Sequence, residues 1–209
     1  MNFTPGHLYH VYNQGNNRET IFFNRENYTY FLKKVKDFVK PHCHILGWCL
    51  MPNHFHFLIG TSEASIIQKQ VGNRLLNILS NGFRILETSY AQAINKQENR
   101  SGSLFRQRTK AKCLTDEAIQ SPNDAYPVDW RNPYPRVCLQ YIHLNAYAAG
   151  LVSAVEDWEF SSFPDYAGKR NGTLCEVELG KKWIGISDAE ILGCASAVIE
   201  EEKIKPLFL

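Results

Sequence analysis

Residues 43–60 read CHILGWCLMPNHFHFLIG. Two apolar runs, 43–50 and 54–60, flank Met51-Pro52-Asn53, so the spacing predicts two strands joined by a short hairpin link. Working outward toward the N-terminus, HLYHVYN (7–13) alternates loosely and reads as a strand, and QGNNRE is a loop rich in turn residues. Asn24 is placed to cap a helix over 25–40, whose stripe Tyr28, Phe31, Leu32, Val35, Phe38, Val39 has helical spacing, and Pro41 ends it. Toward the C-terminus, Ile66, Ile67, Val71, Leu75, Leu76 and Leu79 repeat at helical intervals and predict one helix over 65–97, weakened locally at Gly72 and Gly82, the second a candidate for a bend or break. The loop NRSGS follows, and LFRQRTKAKCL (104–114) alternates as a strand. Strand, helix, strand, strand, helix, strand is the order of an α+β fold: a ferredoxin-like split βαβ antiparallel sheet with helices on one face.

Beyond the sheet, a short helix is expected at 115–119, a loop at 121–135, and a helix over 135–149 with Pro135 in its first turn and Gly150 just past its end. A last helix should start at Ser187, where Ser187-Asp-Ala-Glu190 has a capping-box pattern. These elements divide into a main domain, 1–170, and a C-terminal helical extension, 171–209.

The chain has 209 residues, 44% hydrophobic and 21% charged, enough for a real core. Its apolar stretches are too short and interrupted to span a bilayer, so no membrane role is expected. The first residues lack the pattern of a secretory signal. Six scattered cysteines without a CxxC read as reduced thiols, so a cytoplasmic location is expected. Residues 1–170 hold 19 Lys and Arg against 14 Asp and Glu, +5; the last 39 hold 4 against 7, −3. A basic body with an acidic tail permits nucleic-acid binding without demanding it.

Three groups of residues bear chemistry. His54 and His56 flank Phe55 on a strand, so both imidazoles share one face and could chelate a divalent ion. Such an HxH arises by chance at a rate of roughly 0.2 in a chain this rich in histidine, and His42-Cys43-His44 is a second instance. The bland alternative is a pair of partly exposed strand histidines. Tyr141 and Asn145 lie one helical turn apart in YIHLN, so hydroxyl and amide are neighbours. Tyrosine can attack phosphorus if a metal withdraws charge from the phosphate, and Asn145 could supply a third ligand; alternatively, Tyr141 simply packs on the sheet. Arg106, Arg108, Lys110 and Lys112 occupy every second position of the expected strand, as a track for a phosphate backbone or as a solvated edge.

GWCLMPNHFHFLIG, GSLFRQRTKAK, YIHLNAYAAGLV and DWEFSSF, in this order, resemble the HUH-endonuclease superfamily. Within it the chain is most similar to single-tyrosine transposases of bacterial insertion sequences, on the REP-associated branch. The opening VYNQGNNRETIF resembles that branch as well, and the likeness covers roughly 7–166. The resemblance implies that His54 and His56 are the metal histidines, Asn145 completes the site, and Tyr141 is the nucleophile. His42 and His44 do not fall on the motif. It further implies Mg²⁺ or Mn²⁺ as cofactor, single-stranded or hairpin DNA as partner, and a 5′-phosphotyrosine intermediate in a cleave-and-rejoin reaction. Arg18 and Arg100 join the four strand cations as DNA-binding candidates. Members often carry proline after YIHLN and a basic residue two positions later; here Ala146 and Ala148 stand there, which predicts an unbroken helix and one DNA contact fewer. The competing readings are a DNA- or RNA-binding module that lost catalysis and a structural metal protein, and monomer and homodimer both remain open.

Overall fold

The computed structural model describes residues 1–115 and 133–193. The helix expected at 115–119 and most of the loop 121–135 lie outside them. Strand β1 (Leu8–Gln14) leads through a short helical turn to α1 (Arg25–Phe38), capped as expected by the Asn24 side chain accepting from Asn27 N. β2 (His44–Met51) and β3 (His54–Gly60) form the expected hairpin around Pro52-Asn53. β4 (Gln68–Val71) and β5 (Arg74–Asn77) pair only with each other, and α2 (Ile78–Gln97) follows at once, capped by Asn77. β6 (Lys110–Cys113) closes the main sheet. Then come α3 (Tyr134–Ala148), α4 (Phe163–Tyr166), α5 (Val177–Ile184) and α6 (Asp188–Gly193).

The main sheet has the order β2-β3-β1-β6 with every neighbouring pair antiparallel. Each crossover helix therefore joins two strands that have a third inserted between them, the split βαβ arrangement expected from element order. Pairing aligns His56 with Cys49 on one side and Tyr12 on the other, and aligns Tyr12 with Lys110. Alternation then gives the sheet two distinct faces. Phe55 and Phe57 point to the face carrying α1 and α2, where Phe55 meets Phe31 and Phe57 meets Phe83. His54, His56, Tyr12 and Lys110 point to the other. That face is covered by α3, which follows the split unit and packs over β2 and β3 through buried Cys138, Leu139 and Ile142.

Two expectations need correction. The helix expected over 65–97 starts only at Ile78, because Gly72-Asn73 makes a two-residue hairpin turn with Gly72 at φ +56°, open to glycine at little cost. The apolar residues that imitated a helical stripe do not share one buried face: Leu79 is fully enclosed, but Ile67 is 58% and Leu75 62% exposed. The strand expected over 104–114 shrinks to Lys110–Cys113, so Arg106 and Arg108 lie in an irregular segment before it.

Gly82 does not break α2. It lets the end of α1 approach: a Cβ there would stand 2.1 Å from Phe38 O, a backbone atom that cannot swing aside. Alanine is the better helix former by about 1 kcal/mol, yet the collision should dominate. Gly82→Ala is expected to lower unfolding free energy by about 1–3 kcal/mol; an unchanged or raised denaturant midpoint would show that the helices separate freely.

The edge of β2 is covered by the chain itself. Leu50 N donates to Phe160 O and Ser162 N to Trp48 O, both at 2.8 Å, and Glu176 N donates to Ile45 O at 2.8 Å. The C-terminal segment, as far as it is described, thus packs on the sheet, with Leu174, Trp183, Ile184 and Ile191 in the same core as the strands. Ser187 and Glu190 form the expected reciprocal cap of α6. No helix among the described residues is long and apolar enough to cross a membrane.

Candidate functional site

β3 places His54 and His56 on the face beneath α3, and α3 aims Tyr141 and Asn145 back at them. Their convergence is direct. His54 Nε2 lies 3.4 Å from Asn145 Oδ1, and the Tyr141 ring stands edge-on to His56 with centroids 5.2 Å apart. The intervening His143 points elsewhere: fully enclosed, it bonds Ser162 Oγ at 2.9 Å, and burial pushes its pKa down to about 3.

Each histidine of the pair is oriented through Nδ1. Asn53 Oδ1 holds His54 Nδ1 at 2.6 Å, and His10 Nε2 holds His56 Nδ1 at 2.8 Å. Ligating imidazoles are commonly fixed in this way by a partner on the other ring nitrogen, so Nε2 would be the ligating atom of both. Burial lowers the pKa of His54, against its hydrogen bond to Asn145 Oδ1, and lowers that of His56 well below the ordinary value, reinforced by His10 and His54. Both are therefore neutral at physiological pH, the form that binds metals.

Among the described residues no three His, Cys, Asp or Glu side chains group as a metal site. The set here is two imidazoles and an amide oxygen. Adjacent ligands of an octahedral ion bound at about 2.1 Å lie roughly 3 Å apart, close to the His54–Asn145 separation of 3.4 Å, so this pair has the spacing of two neighbouring ligands of a small divalent cation.

Burial pushes the Tyr141 hydroxyl up to about 12, opposed by its hydrogen bond with Asn145. It opens on a cleft of about 480 Å³ lined by Tyr12, Asn13, Gln14, His54, His56, Arg106, Arg108 and Lys110. Three of the four cations expected on one strand face are thus gathered here, two of them from the irregular segment. Lys112 lies farther along β6, paired with His10. Arg18 sits exposed on the turn after β1, its carbonyl accepting from Asn53 Nδ2 at 3.2 Å. Arg100 is engaged by Glu19 at 2.5 Å. α3 runs unbroken through Ala146 to Ala148, as the missing proline predicted. His44, of the second HxH, bonds Glu176 instead of joining the cleft.

The sequence reading missed His10 and Tyr12. Tyr12 stacks on His10 with centroids 4.7 Å apart and lies 5.8 Å from His56. No spacing motif marks them; their signal was the alternation of β1, which puts both on the face of the metal histidines once β1 is known to pair with β3.

No family model and no curated protein matches the sequence. Among solved structures, one of a REP-associated tyrosine transposase bound to a REP hairpin is similar, with a TM-score of 0.51 and 16% identity over 84% of this chain and 94% of that one. At such identity the likeness speaks for architecture, and the chain accordingly shares its fold with a REP-associated tyrosine transposase.

Proposed function

We propose that the chain is an HUH-type transposase that cleaves and rejoins single-stranded DNA, with Tyr141 as nucleophile. The observation that carries this reading is the meeting of Tyr141 from α3 with His54 and His56 from β3 in one cation-lined cleft, with Asn145 Oδ1 standing 3.4 Å from His54 Nε2. In this reading Arg106, Arg108 and Lys110 draw the backbone in toward Tyr141, which α3 supplies to the same lining. Mg²⁺ or Mn²⁺ held by His54, His56 and Asn145 would withdraw charge from a non-bridging oxygen of the scissile phosphate. Tyr141 Oη gives its proton to solvent and forms a bond to phosphorus; the bond from phosphorus to O3′ breaks, and O3′ takes a proton back from solvent and leaves as a hydroxyl. The 5′ phosphate stays on Tyr141 as an ester, so an incoming 3′-hydroxyl can reverse the step without ATP. The structural neighbour's REP hairpin makes a hairpin the first substrate to try.

The test is direct. Protein incubated with Mn²⁺ and labelled hairpin DNA from the flanks of its own gene should yield a covalent adduct on a denaturing gel. Binding without any adduct would favour the second reading, a DNA- or RNA-binding protein that lost catalysis; the deeply raised pKa of Tyr141 is the observation on its side.

The cations can be tested separately. Each phosphate contact on a single strand contributes about −0.7 to the slope of log affinity against log salt. Replacing Arg106 and Lys110 with Gln should flatten that slope by about 1.4 and weaken different sequences about equally. An unchanged slope would leave both as mere surface charge.

A further inference from the structure

Arg106 and Arg108 reach the cleft from a segment without regular structure, so something other than a strand ladder must hold it. Part of the support is backbone: Arg106 N donates to Gln14 O at 2.8 Å, and Phe105 bridges to Gly15. The rest comes from the opposite face of the sheet. Asn13 Nδ2 donates to Arg106 O at 3.2 Å and to Thr109 Oγ1 at 3.0 Å, and the Thr109 hydroxyl donates to Glu87 Oε1 on α2. A chain of hydrogen bonds thus runs from α2 through Thr109 and Asn13 to both ends of the tetrapeptide 106–109, and such chains strengthen one another.

Glu87 is not part of the cleft lining. None of the ion pairs among the described residues involves it. Burial pushes its pKa up to about 7, against the hydrogen bonds from Thr109 and Asn13. A partly buried carboxyl group with no cation beside it depends on its hydrogen bonds for the stabilisation that water would otherwise give.

We propose that Glu87 is a positioning residue for DNA binding: through Thr109 and Asn13 it fixes the segment that presents Arg106 and Arg108 to the substrate strand. This rests on the reading of the cleft as a single-stranded DNA site. The experiment compares wild type, Glu87→Leu, Glu87→Gln and Thr109→Val as full-length proteins. It measures the salt dependence of affinity for a fluorescent hairpin oligonucleotide with a single-stranded tail, alongside thermal unfolding. Glu87→Leu and Thr109→Val should each flatten the slope by about 1.4, the loss of two phosphate contacts, and weaken binding by about tenfold or more. Glu87→Gln, which still accepts from Thr109, should stay within about twofold of wild type with its slope intact. Packing support alone would lower the melting temperature and leave the slope untouched, which overturns the proposal. So does a Glu87→Gln variant that falls as far as Glu87→Leu, since the bond would then not be the working part. Should Glu87→Leu fail to fold, Thr109→Val, which removes one hydroxyl at nearly constant volume, carries the same readout. A wild type that binds no DNA overturns the cleft reading itself, whereas a steep wild-type slope with unaltered variants overturns the role of Glu87 alone.

Discussion

Tyr141→Phe is expected to abolish the covalent DNA adduct and to lower cleavage at least about 1,000-fold, the scale of losing a nucleophile. DNA affinity should change by no more than a few-fold. The substitution removes one oxygen from a half-buried ring whose packing beside His56 is otherwise kept. The fold should survive, since a single hydrogen bond with Asn145 is worth about 1 kcal/mol net. Adduct formation at wild-type rate would move the nucleophile elsewhere. Tyr134, 41% exposed at the start of α3 and two turns before Tyr141, is then the first residue to replace.

The other large effect is expected at His54. Its replacement by alanine removes one of the three atoms proposed to hold the cation, so cleavage should vanish at ordinary Mn²⁺ or return only at much higher concentration. Loss of a ligand typically exceeds the 10- to 100-fold cost of disturbing the groups behind it. The same site should show a displaced acid limit. Burial favours neutral imidazoles, so protonation of His54 and His56 competes with metal only below the ordinary histidine value of about 6.5. Mn²⁺ binding, measured directly without cleavage, should therefore hold as pH falls through 6.5 and weaken only at lower pH. A profile that collapses at or above 6.5 would place exposed, ordinary histidines at the metal.

Much of this was legible from residues alone, and the exceptions have physical causes. The β2–β3 hairpin could be read because Pro52-Asn53 interrupts two unbroken apolar runs. The face of His54 and His56 followed from strand alternation, and the nearness of Tyr141 and Asn145 from the helical turn. β4 and β5 were hidden because Ile67, Val71 and Leu75 happen to fall at helical intervals, while the decisive signal was the local one at Gly72-Asn73. Alternation in 104–114 was misleading in a different way. Arg106 and Arg108 do reach the cleft, yet the backbone beside them is held by the Asn13 side chain in place of a ladder. His10, Asn13, Thr109 and Glu87 act through partners 46, 93, 96 and 22 residues away respectively, a relation that no local pattern encodes.

The sealed flank of β2 bears on how copies of this chain can associate. An open strand edge is a template on which another molecule can add a strand, the route to runaway aggregation and to dimers that share one continuous sheet. Here Trp48 O and Leu50 N are already taken by residues 160–162, and Ile45 O by Glu176. A second copy cannot extend the sheet across β2 without first stripping away the protein's own chain, so any assembly on this side must be built from side chains.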